Sequence, residues 1–346
     1  MLSAQSSNKA LAEIIQETIR SCGPQSFAWF MEQALYHPEH GYYSSGRAAI
    51  GRRGDYFTNV SVGQVFGQLL AQQFAEIWRR LGKLDNFTIV EQGAHHGEFA
   101  HDVLEFSRRE LPEFFSAIRY EIVEPFPKLQ NRQSATLRDF AAGVRWRTSL
   151  DELDPFVGIH FSNELLDAMP INLRGKLVGV NGEQFVLIDT PNEQVANQSH
   201  LDWIAIVAAK LQCGIVLVID FGFPATESRE TIQTRAKHRL LDSPFEQIGE
   251  ADITAHVNWT DIAAAAEKSG LCLVGFTDQH HFLTGIVSSS FETPADGKSK
   301  RELQTLLHPE MLGRSFQVLC LAKDVDLAAP LSGFKFARGA RAALGL

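Results

Sequence analysis

The chain has 346 residues, 45% of them hydrophobic and 21% charged, which fits one large globular core with embellishments or two modest domains. Its net charge of −9 argues against a nucleic-acid backbone as the main partner, although an acidic surface can attract an Arg- or Lys-bearing one. Four cysteines (Cys22, Cys213, Cys272, Cys320) without a CxxC pair exclude a disulfide framework and a zinc-finger spacing, and fit a reducing compartment.

The first residues carry no apolar signal-peptide run, and Glu13 and Glu17 are unlike an acid-poor transit peptide. No apolar stretch approaches membrane-spanning length, so the expected location is cytoplasmic, without membrane insertion. Helices are expected over Leu11–Cys22 and over Phe27–Tyr36, the second capped by Ser26 and closed by Pro38. A Gly/Tyr/Arg-rich stretch from Gly41 to Val60 is long enough for a functional lid. The helix after it, Gln64–Leu81, shows Phe66, Leu69, Leu70, Phe74 and Ile77 at helical spacing. Residues 1–85 therefore read as an N-terminal helical and lid segment.

From residue 86 short β-rich runs alternate with helical patterns, the mark of a parallel sheet covered by helices. Strands are expected at Phe87–Glu91, Arg119–Glu124, Val144–Arg147, Gly158–Ser162, Ile215–Asp220, Leu271–Phe276 and Phe316–Ala322, the last two as an antiparallel pair. Helices are expected at Glu98–Leu111 and Trp259–Ser269. Lys176–Leu187 reads as an added hairpin turning at Asn181-Gly182. Phe221–Ala255 reads as irregular, and Ser288–Lys300 as a flexible link. The domain then spans residues 86–325, with insertions near 172–190, 222–256 and 284–313 and a tail over 326–346.

Chemistry concentrates at the ends of the strands. Phe87–Glu91 runs into Gly93-Ala94-His95-His96-Gly97 and then into a helix, so backbone N–H groups can meet a ligand there. The spacing is G-x-x-x-G with an acid before it, which departs from the G-x-G-x-x-G of dinucleotide sites and ranks a nicotinamide dehydrogenase low. Glu124 ends the second strand, where a carboxylate can accept from ribose hydroxyls. Asn163, Glu164 and Asp167 follow the fourth strand and Asp220 ends the fifth. Carboxylates so placed can hold a cationic nitrogen and stabilise charge, or can simply charge a helix start. Twelve histidines show no HExxH or comparable spacing, so no metal is expected. His280 and His281 would diverge on a strand.

Several segments together resemble the MidA-like methyltransferases, a family that includes the mitochondrial complex I assembly methyltransferase acting on an arginine. They include Phe30–Pro38, Gly41-Tyr42-Tyr43, Gly54–Thr58, Gln64–Leu69, the glycine turn and Glu124. Asn163–Pro170, Ile219–Gly222, Asp252–Val257 and Gln279–Leu283 match as well, so the likeness covers about residues 25–325. The resemblance implies a Rossmann-like class I α/β fold, with a seven-stranded mostly parallel sheet and cap insertions, using S-adenosyl-L-methionine. It implies Gly54 and Thr58 over the methionine end of the cofactor, with Glu91, Gly93, Ala94 and Gly97 at the turn, Glu124 at the ribose and Asn163 beside the cleft. Glu164, Asp167 and Asp220 would be the catalytic carboxylates. The implied acceptor is an arginine of a protein, a respiratory complex I subunit by analogy. A small-molecule N- or O-methyltransferase and a non-catalytic assembly factor are the alternatives. The chain departs from the family at His95, where the turn usually carries its middle glycine, and at Thr234–Arg239. Oligomeric state is left open.

Overall fold

Leu11, Ile15 and Ile19 recur four residues apart along helix α1 (Lys9–Cys22) and all three are buried, so the helix has one apolar stripe to cover. Asn8 caps it by accepting the Leu11 N–H (3.2 Å). Helix α2 (Phe27–Tyr36) starts at Ser26, whose Oγ accepts from Trp29 N–H (3.1 Å), and buries Phe27, Phe30, Met31 and Ala34. These faces share one core with Val178, Ile248 and Ile253. The computed structural model describes residues 7–48, 58–191, 197–227, 232–292 and 294–346. It separates this core, in a unit of residues 1–57, 166–202 and 229–256, from a second unit of residues 58–165, 203–228 and 257–346.

Two small antiparallel sheets complete the first unit. In one, strands Lys176–Asn181 and Gln184–Asp189 form the expected hairpin, with Gln25–Ser26 on its other side. Asn181 pairs with Gln184, so the turn pivots on Gly182-Glu183, one residue later than the sequence suggested, with Gly182 at φ +63. In the other, Ile232–Ala236 pairs with Arg239–Leu241 and with Asp252–Ala255, within a region that reads as irregular. The hairpin turn there is Lys237-His238, at φ +51 and +60. A turn with two left-handed residues normally announces itself by Asn-Gly, and Lys-His hides it.

Among the described residues the sheet of the second unit has seven main strands, β1 (Phe87–Gln92), β2 (Ile118–Val123), β3 (Val144–Arg147), β4 (Phe156–Asn163), β5 (Leu211–Phe223), β6 (Cys272–Asp278) and β7 (Phe316–Lys323), and an eighth of two residues, Val257–Asn258, parallel to the end of β5. Their order is 3-2-1-4-5-7-6, with β1 to β5 parallel and β7 antiparallel to both β5 and β6. Ile215–Ile219 of β5 is wholly buried, as a strand covered on both faces must be. Around the sheet lie helices α3 (Val65–Arg80), α4 (Glu98–Glu110), α5 (Pro127–Thr136), α6 (Gln198–Lys210), α7 (Trp259–Lys268), α8 (Gln279–Ser290) and α9 (Gly297–Leu307). Phe99 of α4 stacks on Phe161 of β4 (centroids 4.5 Å apart), and Phe74 of α3 meets the same ring edge-on (5.6 Å). These rings lock α3 and α4 onto the strand whose tip carries Asn163.

Two local readings change. His280 and His281 stand on α8, not on a strand, because Asp278 caps that helix by accepting the His281 N–H (2.8 Å). The supposed link before residue 300 contains the first turn of α9, capped by Asp296 through the N–H groups of Lys298 and Ser299 (2.9 Å each). Both caps are single Asp residues without the Glu three positions later that would have flagged them. Among the described residues no helix is long and apolar enough to cross a membrane.

Candidate active site

Strand order reverses between β1 and β4. Their carboxyl ends therefore diverge into a crevice, and in doubly wound sheets that is where ligands sit. The chain leaves β1 through Gly93 at φ +82, with the side chain of Leu165 beneath it: a Cβ at Gly93 would come within 3.3 Å of Leu165 Cδ1. Gly97, at φ +85, closes the turn by donating to Ala94 O (2.7 Å) and caps α4 without a side chain. The first N–H groups of α4 thus have no side-chain cap at Gly97 and can face a ligand. His95, between the two glycines, is held at φ +46, and its ring stacks on that of His96 (3.7 Å).

Glu91, next to last in β1, is a buried carboxyl that accepts the Tyr120 hydroxyl of β2 (2.7 Å). Burial pushes its pKa up to about 8, against the pull of that hydrogen bond and aided by the charge of Glu98. Glu124, just past β2, is also buried. Its Oε1 accepts from Phe126 N–H (3.1 Å) and its Oε2 from Gln133 Nε2 (2.9 Å). Burial raises its pKa to about 7 although both bonds favour the carboxylate.

At the tip of β4, Glu164 adopts φ +53. Its Oε1 accepts from the backbone of Asn59 (3.0 Å) and from Asn163 Nδ2 (2.9 Å), while Asn59 Nδ2 donates to Asn163 Oδ1 (3.0 Å). Behind them Gln279 of α8, fully buried, donates to Asn59 Oδ1 (2.8 Å). Asp220, on β5, accepts from Leu165 N–H (3.0 Å) through Oδ2 and from Phe221 N–H (2.7 Å) through Oδ1. It therefore holds the turn that presents Glu164.

The second unit thus brings together Glu91, Gly93, Ala94, Gly97, Glu124, Asn163 and Glu164 around neighbouring strand ends, with Asp220 three residues before the end of β5, which was expected to stop at it. Thr58 belongs to the same unit and spends its hydroxyl on a capping box with Ser61 (Ser61 N–H to Thr58 Oγ1, 3.0 Å). Gly54 lies outside the described residues. Asp167 belongs to the first unit, where its carbonyl accepts from Ala255 N–H (2.8 Å). The sequence assigned no role to Asn59, Gln133 or Gln279, because buried amides on helices carry no local signature, nor to Trp146, a half-buried indole on β3.

His95, His96 and Glu98 have ligand atoms within 4.8 Å of one another. However, Arg132 Nη1 lies 3.0 Å from His96 Nε2, and a guanidinium can only donate. In the neutral ring the proton is then on Nδ1, 3.7 Å from Glu98 Oε1, and neither ring nitrogen is presented to a metal.

The site fits S-adenosylmethionine: a left-handed glycine turn and a helix start without a side-chain cap suit its amino-acid end, and a buried carboxyl at the next strand tip suits its ribose. Comparison with known proteins gives the family and its cofactor. A family model of S-adenosyl-L-methionine-dependent methyltransferases matches residues 69–201 and 189–277. The chain is 26% identical to the mitochondrial protein arginine methyltransferase NDUFAF7 homolog of Drosophila melanogaster, covering 77% of this chain and 72% of that protein. It is 25% identical to the mitochondrial protein arginine methyltransferase NDUFAF7 of Danio rerio, over 94% of this chain and 90% of that one. It also superimposes on a Burkholderia thailandensis protein, described as a likely methyl transferase and bound to S-adenosyl-homocysteine, with a TM-score of 0.83, 27% identity and 96% of each chain covered. The class I methyltransferase fold expected from the motifs is thereby established. The cytoplasmic expectation is overturned, because the fly and zebrafish relatives are mitochondrial proteins. Free cysteines separate reducing from oxidising surroundings and do not distinguish one reducing compartment from another.

Proposed function

We infer the acceptor from this premise: the chain belongs to the S-adenosyl-L-methionine-dependent methyltransferase family, and is an enzyme whose cofactor is S-adenosylmethionine. The acceptor we propose is a nitrogen of an arginine side chain in a protein, with a subunit of respiratory complex I as the partner. Support comes from the relatives' named activity and from the family resemblance. The observation that carries the chemistry is Glu164, a carboxylate fixed by Asn59 and Asn163 at the β4 tip beside the glycine turn.

The bound cofactor supplies a methyl group on a sulfonium, open to attack by a nitrogen lone pair. Glu124 would accept the ribose hydroxyls, while Gly93, Ala94 and Gly97 give backbone room to the amino-acid end, with Gly54 and Thr58 proposed to cover it. A guanidinium stays protonated in ordinary surroundings, so as the N–C bond forms and the methyl–sulfur bond breaks, leaving a neutral thioether, one N–H proton would pass to the Glu164 carboxylate and on to water. Glu164 orients that cation through charge-assisted hydrogen bonds and lowers the cost of its remaining charge. Asn163 holds the carboxylate, and Asp220 holds the turn beneath it. Asp167 is a proposed second carboxylate on the strength of its motif. Positioning of this kind can account for much of a barrier reduction.

The test uses the purified chain, methyl-tritiated S-adenosylmethionine and a cell protein extract as acceptor pool, followed by acid hydrolysis. Labelled methylarginine that disappears with Glu164→Gln supports the assignment. Label confined to the small-molecule filtrate, or no label from protein that demonstrably binds the cofactor, overturns it.

A further inference from the structure

We infer that Gln133 is a positioning residue that keeps the cofactor turn in its working geometry, in place of the glycine that position 95 lacks. This rests on the cofactor lying at Gly93–Gly97, as proposed above. A β-carbon opposes the left-handed region in which His95 stands at φ +46, a region glycine enters freely. Something must hold the backbone there.

The side chain of Gln133, fully buried on α5, reaches three neighbours. Its Nε2 donates to the carbonyl of His95 (3.0 Å) and to Oε2 of Glu124 (2.9 Å). Its Oε1 accepts from Trp146 Nε1 (2.9 Å). An indole can only donate, so Trp146 settles which way round the amide sits: oxygen to the indole, nitrogen to the two acceptors. One amide thus ties the turn after β1 to the ribose acid after β2, and the end of β3 orients it. The backbone of α5 lies against the end of the turn, where a Cβ at Gly97 would meet Gln133 Cα at 3.4 Å, an ordinary contact; what calls for glycine there is its φ of +85. A merely structural amide would stabilise the fold equally whatever residue stood at position 95. A positioning amide matters most when that residue resists its conformation.

The test is a double-mutant cycle on the full, tag-free chain, read by calorimetric titration with S-adenosylmethionine and by thermal midpoint. Gln133→Met conserves volume, fills the same space and removes every hydrogen bond. It should weaken cofactor binding at least tenfold. In a His95→Gly background the same change should weaken it by a factor at least threefold smaller, because glycine needs no restraint there. A weaker effect than tenfold in the native background, or a smaller difference between backgrounds, overturns the inference. If Gln133→Met fails to fold, Gln133→Glu takes its place in the cycle under the same criteria: it keeps an oxygen for Trp146 and sets a carboxylate against Glu124. Gly93→Val runs in parallel. If that variant binds the cofactor like the native chain, the turn is not the cofactor site and the reading above fails. If it abolishes binding while Gln133→Met leaves it intact, this inference alone fails.

Discussion

Cofactor binding should weaken as pH falls through 7, and Glu124 is the reason. Burial raises its pKa to about 7, so near neutrality the site without cofactor is divided between a carboxylate and a neutral acid. Only the carboxylate can take hydrogen bonds from both ribose hydroxyls while it also accepts from Phe126 and Gln133. The apparent affinity is then the intrinsic one multiplied by the ionised fraction: about nine-tenths at pH 8, about half at pH 7 and about one-tenth at pH 6. The dissociation constant should therefore rise about tenfold between pH 8 and pH 6, equivalent to about 1.4 kcal/mol. The same shift acts on stability with the opposite sense from a salt-bridged acid. Between the unfolded carboxyl pKa near 4 and the folded value of about 7, the folded state binds the extra proton. Raising pH through that window consequently removes stability from the cofactor-free protein, and cofactor binding at pH 8 offsets part of the loss. Titration calorimetry across pH 6 to 8, in two buffers of different ionisation enthalpy, measures both the affinity and the protons released. Glu124→Gln keeps the shape and cannot ionise, so its weaker binding should lose this slope while Glu91 still titrates. A flat native profile, or the same slope in Glu124→Gln, would refute the reasoning.

Other outcomes follow from the same geometry. Glu164→Gln should lower methyl transfer by at least about 100-fold, a barrier change of about 3 kcal/mol, with cofactor affinity within about threefold of native; an equal loss in binding and turnover would place Glu164 on the cofactor instead. Gly97→Ala puts a β-carbon at φ +85 against α5 and should cost about 1–2 kcal/mol in urea unfolding together with most of the cofactor affinity. Native-like behaviour would contradict the backbone strain argued for the turn. Tyr120→Phe deprives the buried Glu91 carboxyl of its donor and should destabilise by about 1–3 kcal/mol. Unchanged or increased stability would show that the pair is dispensable.

The sequence alone carried the sheet and the glycine turn for a physical reason. A strand buried on both faces must be apolar along its length, and runs such as Ile215–Ile219 declare themselves without any knowledge of neighbours. All seven expected strands of the sheet are present, with ends shifted by a few residues; Glu124 and Glu164 directly follow their strands, whereas β5 continues three residues past Asp220, which was expected to end it. Signals written in backbone demands rather than composition were lost. The Lys237-His238 turn lacks the usual glycine, and the capping Asp278 and Asp296 look like any acidic residue.

What only the tertiary structure decided is which polar groups serve one another. Gln133 is separated from His95 by 38 positions and Gln279 from Asn59 by 220, so neither pair leaves a trace in any local pattern. Likewise the sequence marks Asp220 only as an acid after an apolar run, and folding adds that its two oxygens accept from the backbone N–H groups of Leu165 and Phe221. Hydrophobic periodicity is a property of one segment and survives in the sequence; a hydrogen bond between distant segments exists only once the chain has folded around it.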